Sequence, residues 1–334
     1  MKMIINFKME NIMLKKFISI ISAVLISTAV FTGCSSAPLK DDGKINVVCT
    51  VFPAYDWTKQ IIGDSNNINL TYLLGNGSDL HNFQPTADDI IKISDCDIFI
   101  YVGGESDAWV EDALSNTQNK NMTVINLMEI LSDKIKEEEI KEGMADEYNH
   151  NEHETDYDEH IWLSLKNAQI CVSKINEALI SKNMNYENYD KYTGNSYSYI
   201  SELQSLDSKF YELFKNNSPT LIFGDRFPFR YFIEDYNLDY FAAFTGCSAD
   251  TQASFETITF LAQKTDELNA GTIFAIENSD CNIADAVIEN TESKSQNIAV
   301  LDSAQSVTNQ QINDGTTYLS IMEKNYNILQ EAFK

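Results

Sequence analysis

Histidine is scarce in this chain, four residues in 334, and basic residues are outnumbered by acidic ones, 24 Lys and Arg against 50 Asp and Glu. The charge balance argues against nucleic acid as a partner, because a phosphate backbone needs a basic patch. It also excludes a polybasic grip on anionic lipid. The six cysteines contain no Cys-x-x-Cys pair, which removes support for a thiolate zinc site. No His-Glu-x-x-His segment occurs, so the helix-borne site of a zinc hydrolase is missing too. The N-terminal apolar run from Phe17 to Val30, about a dozen residues, is short of the roughly 20 that a membrane span needs.

That run has the layout of a targeting segment. Lys15 and Lys16 form its charged flank, and Phe31-Thr32-Gly33-Cys34 closes it. Small residues before a cysteine resemble the lipobox of bacterial lipoproteins, in which the cysteine is acylated. Residues 1–33 are therefore expected to be a signal peptide rather than a retained transmembrane anchor, Cys34 the lipidated residue, and 34–44 a polar tether. The folded part is then expected at the extracytoplasmic face of the cell membrane. Beyond residue 33 the chain carries 20 basic and 49 acidic groups, a formal charge of −29. Such a surface raises local cation concentration weakly. Of the later cysteines, Cys49 and Cys96 lie in apolar runs and read as buried thiols; a Cys247–Cys281 pairing is left open.

What the chain does have is alternation. Short β-branched runs (Ile45–Val51, Ile68–Leu74, Asp97–Val102, Thr123–Leu127) take turns with helical patterns at Tyr55–Ile62, Thr86–Asp89 onward and Trp109–Leu114. A second set, with strands at Thr220–Phe223, Tyr240–Phe244, Thr272–Glu277 and Ala299–Leu301, repeats it. This pattern predicts an α/β fold of two lobes, each a parallel sheet flanked by helices. Between them Tyr186–Lys215 repeats apolar residues at helical spacing, Tyr192, Tyr199, Leu203, Leu206, Phe210 and Phe214. It predicts one long interlobe helix of about 45 Å, stopped at Asn216-Asn217-Ser218-Pro219. The expected organisation is an N-terminal lobe over 45–185 with a His- and acid-rich loop at 134–159, a linking helix over 186–216 and a C-terminal lobe over 217–334.

Three of the four histidines fall between Tyr148 and Leu163, set among carboxylates. Imidazole and carboxylate together suit borderline divalent metals. His150 and His153 stand in a polar stretch read as mobile and serve as an accessory metal loop. His160 precedes Ile161-Trp162-Leu163, which should bury the chain and hold its ring. Ligands of open parallel sheets bind at the carboxyl ends of strands. Those ends bring His81 from the first lobe, and Asp225, Glu277 and Asp302 from the second.

Here a family resemblance enters. Leu80-His81-Asn82-Phe83-Gln84-Pro85-Thr86, Asp158-Glu159-His160-Ile161-Trp162-Leu163 and Leu301-Asp302-Ser303 are similar to the ligand motifs of the extracellular solute-binding lipoproteins of bacterial ABC importers for zinc or manganese, with Glu159 where Pro is usual. The resemblance covers essentially the whole chain after the signal. It implies His81, His160 and Asp302 as metal ligands and a monomer that serves an ABC permease and its ATPase; the imidazole-rich set and the histidine loop favour zinc as the carried ion, with manganese second. One position departs: the family's third ligand falls on Arg226, which cannot ligate a cation. Either Asp225 replaces it as a fourth ligand, or Arg226 pairs with Asp302 or Glu277. Two other classes remain: a metal-dependent hydrolase with Glu277 as base, and a surface adhesin with a structural metal.

Overall fold

Among the described residues, eight strands form two four-stranded sheets of the same topology. β1 (Ile45–Cys49), β2 (Ile68–Tyr72), β3 (Ile98–Tyr101) and β4 (Thr123–Asn126) run in the order β2-β1-β3-β4. β5 (Thr220–Phe227), β6 (Asp239–Thr245), β7 (Thr272–Ile276) and β8 (Asn297–Leu301) run β6-β5-β7-β8. All pairings are parallel. Central strands such as Ile45-Asn46-Val47-Val48-Cys49 are buried on both faces, which suits β-branched side chains in a sheet covered on two sides. The computed structural model describes residues 43–144, 157–182, 186–246 and 252–334. The proposed signal, Cys34, most of the tether, His150, His153 and Cys247 lie outside the described residues.

Helix ends are set by local chemistry. The helix α1 (Phe52–Ile62) starts with Pro53 in its first turn, and α2 (Ala87–Asp95) opens on a reciprocal Thr86–Asp89 capping box. The short helix α3 (Trp109–Ser115) joins β3 to β4, and α4 (Leu127–Ile130) follows β4. Two helices follow, α5 (Leu165–Lys182) and the 29-residue α6 (Tyr186–Phe214). The second lobe adds α7 (Arg230–Asp235), α8 (Phe255–Glu267), α9 (Asn282–Asn290), α10 (Asn309–Asn313) and α11 (Tyr318–Ala332).

α6 touches both sheets' surroundings. Near its start, Tyr192 Oη lies 2.9 Å from Ser65 Oγ, and Asn195 donates to Ile61 O at 2.9 Å. Near its end, Phe210 packs edge-on to Phe232 at 5.0 Å, and Tyr236 donates to Asp207 at 2.9 Å. α11 also bridges. Tyr318 N–H donates to Asp56 at 2.9 Å and the Tyr318 hydroxyl donates to Trp162 O. One apolar core therefore runs from Val47 and Trp57 through Trp162, Leu203 and Tyr318 to Phe223 and Leu301.

Two expectations need correction. β5 does not stop at Phe223. It continues to Phe227 through an irregularity in which Gly224 and Asp225 stand where β6 offers one residue. Pairing resumes because Phe227 stacks on Tyr240 with ring centroids 3.6 Å apart. The acidic loop is also less free than its composition suggests. Its first part packs on the second lobe, where Arg230 pairs with Glu139 at 3.3 Å and Lys141 pairs with Asp239; Met144 is buried, and Glu137 bridges Tyr157 within the loop itself.

Candidate metal centre

His81 sits in a single 3-10 turn, Leu80–Asn82, after β2. Asp79 caps that turn by accepting the His81 N–H at 3.0 Å. His160 begins the turn Ile161–Leu163, whose three side chains are fully buried, as is His160 itself. The two rings meet. His81 Nε2 and His160 Nε2 are 3.3 Å apart, with ring centroids 5.2 Å apart. Two nitrogens that each stand about 2.0–2.1 Å from one tetrahedral zinc are separated by about 3.3 Å.

The far nitrogen of each ring is occupied. His160 Nδ1 is 3.0 Å from Asp158 Oδ1, and the same oxygen accepts the His160 backbone N–H at 2.8 Å. His81 Nδ1 is 2.7 Å from Ser106 Oγ and 3.7 Å from Glu159 Oε2. Such outer partners orient an imidazole and leave its other nitrogen for a metal. Two Nε2 lone pairs face to face repel unless a proton or a cation lies between them.

The rings differ in proton affinity. Burial, followed by the neighbouring His160 charge, pushes the His81 pKa down to about 4. Burial would lower that of His160 as well, but the charge and hydrogen bond of Asp158 outweigh it and raise it. A proton entering the pair therefore settles on His160.

The acid groups of the second lobe are placed differently. Asp225 accepts backbone N–H groups on both oxygens, from Arg226 at 2.8 Å and from Ile276 at 3.3 Å. Asp302 Oδ1 accepts from Ala304 N at 2.9 Å, within a turn where Ala304 has φ +61°. Burial raises the Asp302 pKa, and burial followed by the Asp302 charge pushes Glu277 up to about 7. Glu277, the would-be base of a hydrolase, is tied to Ser303 through the backbone N–H at 2.7 Å and the hydroxyl at 2.5 Å. Among the described residues no three His, Cys, Asp or Glu side chains are gathered to hold one ion. The histidine pair is assembled; Asp225 and Asp302 are not part of a cluster with it.

Arg226 pairs with the carboxylate of Asp79. Its Nη1 donates to Asp79 Oδ2 at 3.0 Å, and Gln305 Nε2 donates to the same oxygen at 3.1 Å. The second lobe thus grips the loop that carries His81. Arg226, Asp79, Asp225 and Glu277 also line a cavity of about 820 Å³ between the lobes.

Several site residues escape sequence reasoning. Ser106 and Gln305 lie in no recognisable motif. Gly246 closes over His160: a Cβ there would stand 3.2 Å from the ring's Cε1. Glu159 was visible only as a departure from Pro. It is buried, its Oε1 accepts Ser106 N–H at 2.9 Å, and burial raises its pKa.

Comparison with known proteins gives concordant matches. The profile of a family described as ZnuA, zinc-uptake complex component A, periplasmic, matches residues 47–332. The zinc-binding lipoprotein AdcA of Streptococcus pneumoniae is 30% identical over 95% of this chain and 61% of its own length. The chain thus spans about three-fifths of that relative. The high-affinity zinc uptake system protein ZnuA of Bacillus subtilis is 28% identical over 89% of this chain and 90% of its own. The crystal structure of the Zn(II)-bound ZnuA-like domain of S. pneumoniae AdcA superposes with a TM-score of 0.67 at 27% identity, covering 87% of this chain and 99% of that one.

Proposed function

The chain belongs to the ZnuA family of zinc-uptake components, and from that membership we propose that it captures zinc between its lobes and hands it to an ABC permease and its ATPase. It binds without turnover, so zinc is cargo. The observation that carries this reading is the 3.3 Å approach of two Nε2 atoms whose Nδ1 partners are already taken. His81 and His160 are the imidazole ligands. Asp302, at the end of β8 and one residue before the carbonyl that accepts the Trp162 indole N–H at 2.7 Å, is the carboxylate ligand. Asp225 is the weaker candidate, because backbone N–H groups hold both its oxygens.

Zinc is the first choice because imidazole nitrogens suit it; manganese comes second, being accepted by carboxylates but standing below zinc in general affinity. His150 and His153 collect metal ahead of the main site. Acylated Cys34 anchors a monomer to the outer face of the membrane. Elemental analysis of protein purified without added metal or chelator, followed by calorimetric titration, tests the proposal. One zinc per chain, bound with no hydrolysis of model esters or phosphates, is expected. Zinc-dependent hydrolysis, or no zinc binding at all, would overturn it.

A further inference from the structure

The two imidazoles are supported unequally by their own loops, and the difference points to Glu159. His160 has a carboxylate directly on its Nδ1, Asp158 at 3.0 Å. His81 has a hydroxyl there, Ser106 Oγ at 2.7 Å, and a hydroxyl alone fixes no tautomer because it can donate or accept. Behind that hydroxyl lies Glu159. Its Oε1 accepts the Ser106 backbone N–H at 2.9 Å. Its Oε2 is buried and stands 3.7 Å from His81 Nδ1, and the Ser106 hydroxyl is within reach of the carboxylate. Space for it has been left: a Cβ on Gly104, which has φ +81°, would meet Glu159 Oε1 at 2.4 Å. The carboxylate is thus 2% exposed, with one oxygen directed at the Ser106–His81 pair.

We propose that Glu159 is a positioning residue for metal capture: it accepts the hydrogen of the Ser106 hydroxyl, whose oxygen in turn accepts the hydrogen of His81 Nδ1 and so keeps the Nε2 lone pair turned toward His160. A carboxylate can only accept, so its presence polarises the chain in one direction, from His81 Nδ1–H to the Ser106 hydroxyl to Glu159. The consequence is two imidazoles each backed by a carboxylate, one directly and one through a hydroxyl. Adjacent residues, Asp158 and Glu159, thereby serve histidines 79 positions apart. This inference rests on the functional reading above, since it assigns a role within the same site.

The test compares wild type with Glu159→Ala, Glu159→Gln and Ser106→Ala. It uses long-range proton–nitrogen spectra of the imidazole rings, with and without zinc, and zinc competition against a chelator. Four histidines make the spectra assignable. In metal-free wild type, His81 should be the Nδ1–H tautomer. Glu159→Ala and Ser106→Ala should mix its tautomers, leave the His160 signals in place and weaken zinc binding by about 10- to 100-fold, the usual effect of an outer partner. Glu159→Gln, which keeps an acceptor oxygen, should recover part of that loss. If Glu159→Ala or Ser106→Ala retains the wild-type His81 tautomer and zinc affinity, the inference is overturned. Should one alanine variant not fold, the other and Glu159→Gln still decide it. A wild-type chain that binds no zinc would sink the functional reading instead, and the metal-free ring spectra would still judge Glu159.

Discussion

His160 and Asp107 show what burial does to a titratable side chain when its partners differ. His160 is fully buried against Asp158, which keeps the ring oriented. Asp158→Asn should therefore weaken zinc binding by about 10- to 100-fold, while His160→Ala should cost more, because it removes a proposed ligand. Equal affinity in wild type and Asp158→Asn would contradict this in a chelator competition. Asp107 is buried beside Glu159, and its Oδ2 accepts two backbone N–H groups, from Val102 at 2.9 Å and from Gly103 at 3.0 Å. Burial, opposed by those N–H groups and helped by the Glu159 charge, pushes its pKa up to about 7. The folded state then holds a proton that the unfolded chain releases near pH 4. Stability is lost as pH rises from about 4 to 7 and is level above. Asp107→Asn keeps an acceptor and removes the charge, so it should flatten the stability profile in that window and raise Tm at pH 8. An unchanged profile in calorimetry would refute the assignment.

At the scale of elements, most of the fold was legible and the irregular parts were not. Buried β-branched runs and capped amphipathic helices announce themselves, as in Ile98–Tyr101 and in the Thr86–Asp89 box. His81 and His160 were legible because each stood in a distinctive local pattern, and their side chains meet. Gly224-Asp225-Arg226 reads as a turn because all three residue types favour one or tolerate it. The stacking of Phe227 on Tyr240 that restarts β5 is a tertiary contact with no local signal. The Arg226–Asp79 pair, 147 residues apart in sequence, was hidden for the same reason. Gly224 belongs to this irregular stretch and has little room. A Cβ would meet Ala284 Cα, in α9, at 2.5 Å. Gly224→Ala should destabilise the protein by about 1–3 kcal/mol through overpacking, read by urea unfolding. An unchanged midpoint would show that α9 can retreat freely.

The described residues form two similar sheets tied by shared helices and by a core that runs through both, with a second apolar cluster under the second sheet. Trp162 illustrates the tie: its indole N–H donates to Ser303 O in the second lobe, and its own carbonyl accepts from Tyr318. Unfolding is expected to be one transition, with tryptophan fluorescence and far-ultraviolet circular dichroism coincident; separated transitions would mean lobes that are independent. The pairing of a chain of −26 formal charge with four histidines makes the proposed cation capture depend on placement, since acidic residues are abundant and imidazoles are few. The most direct test of that placement is anomalous diffraction at the zinc edge from crystals grown with one equivalent of zinc. The account predicts a peak about 2.0–2.1 Å from Nε2 of both His81 and His160. A zinc peak bound elsewhere, with the His81–His160 pair unliganded, would contradict it.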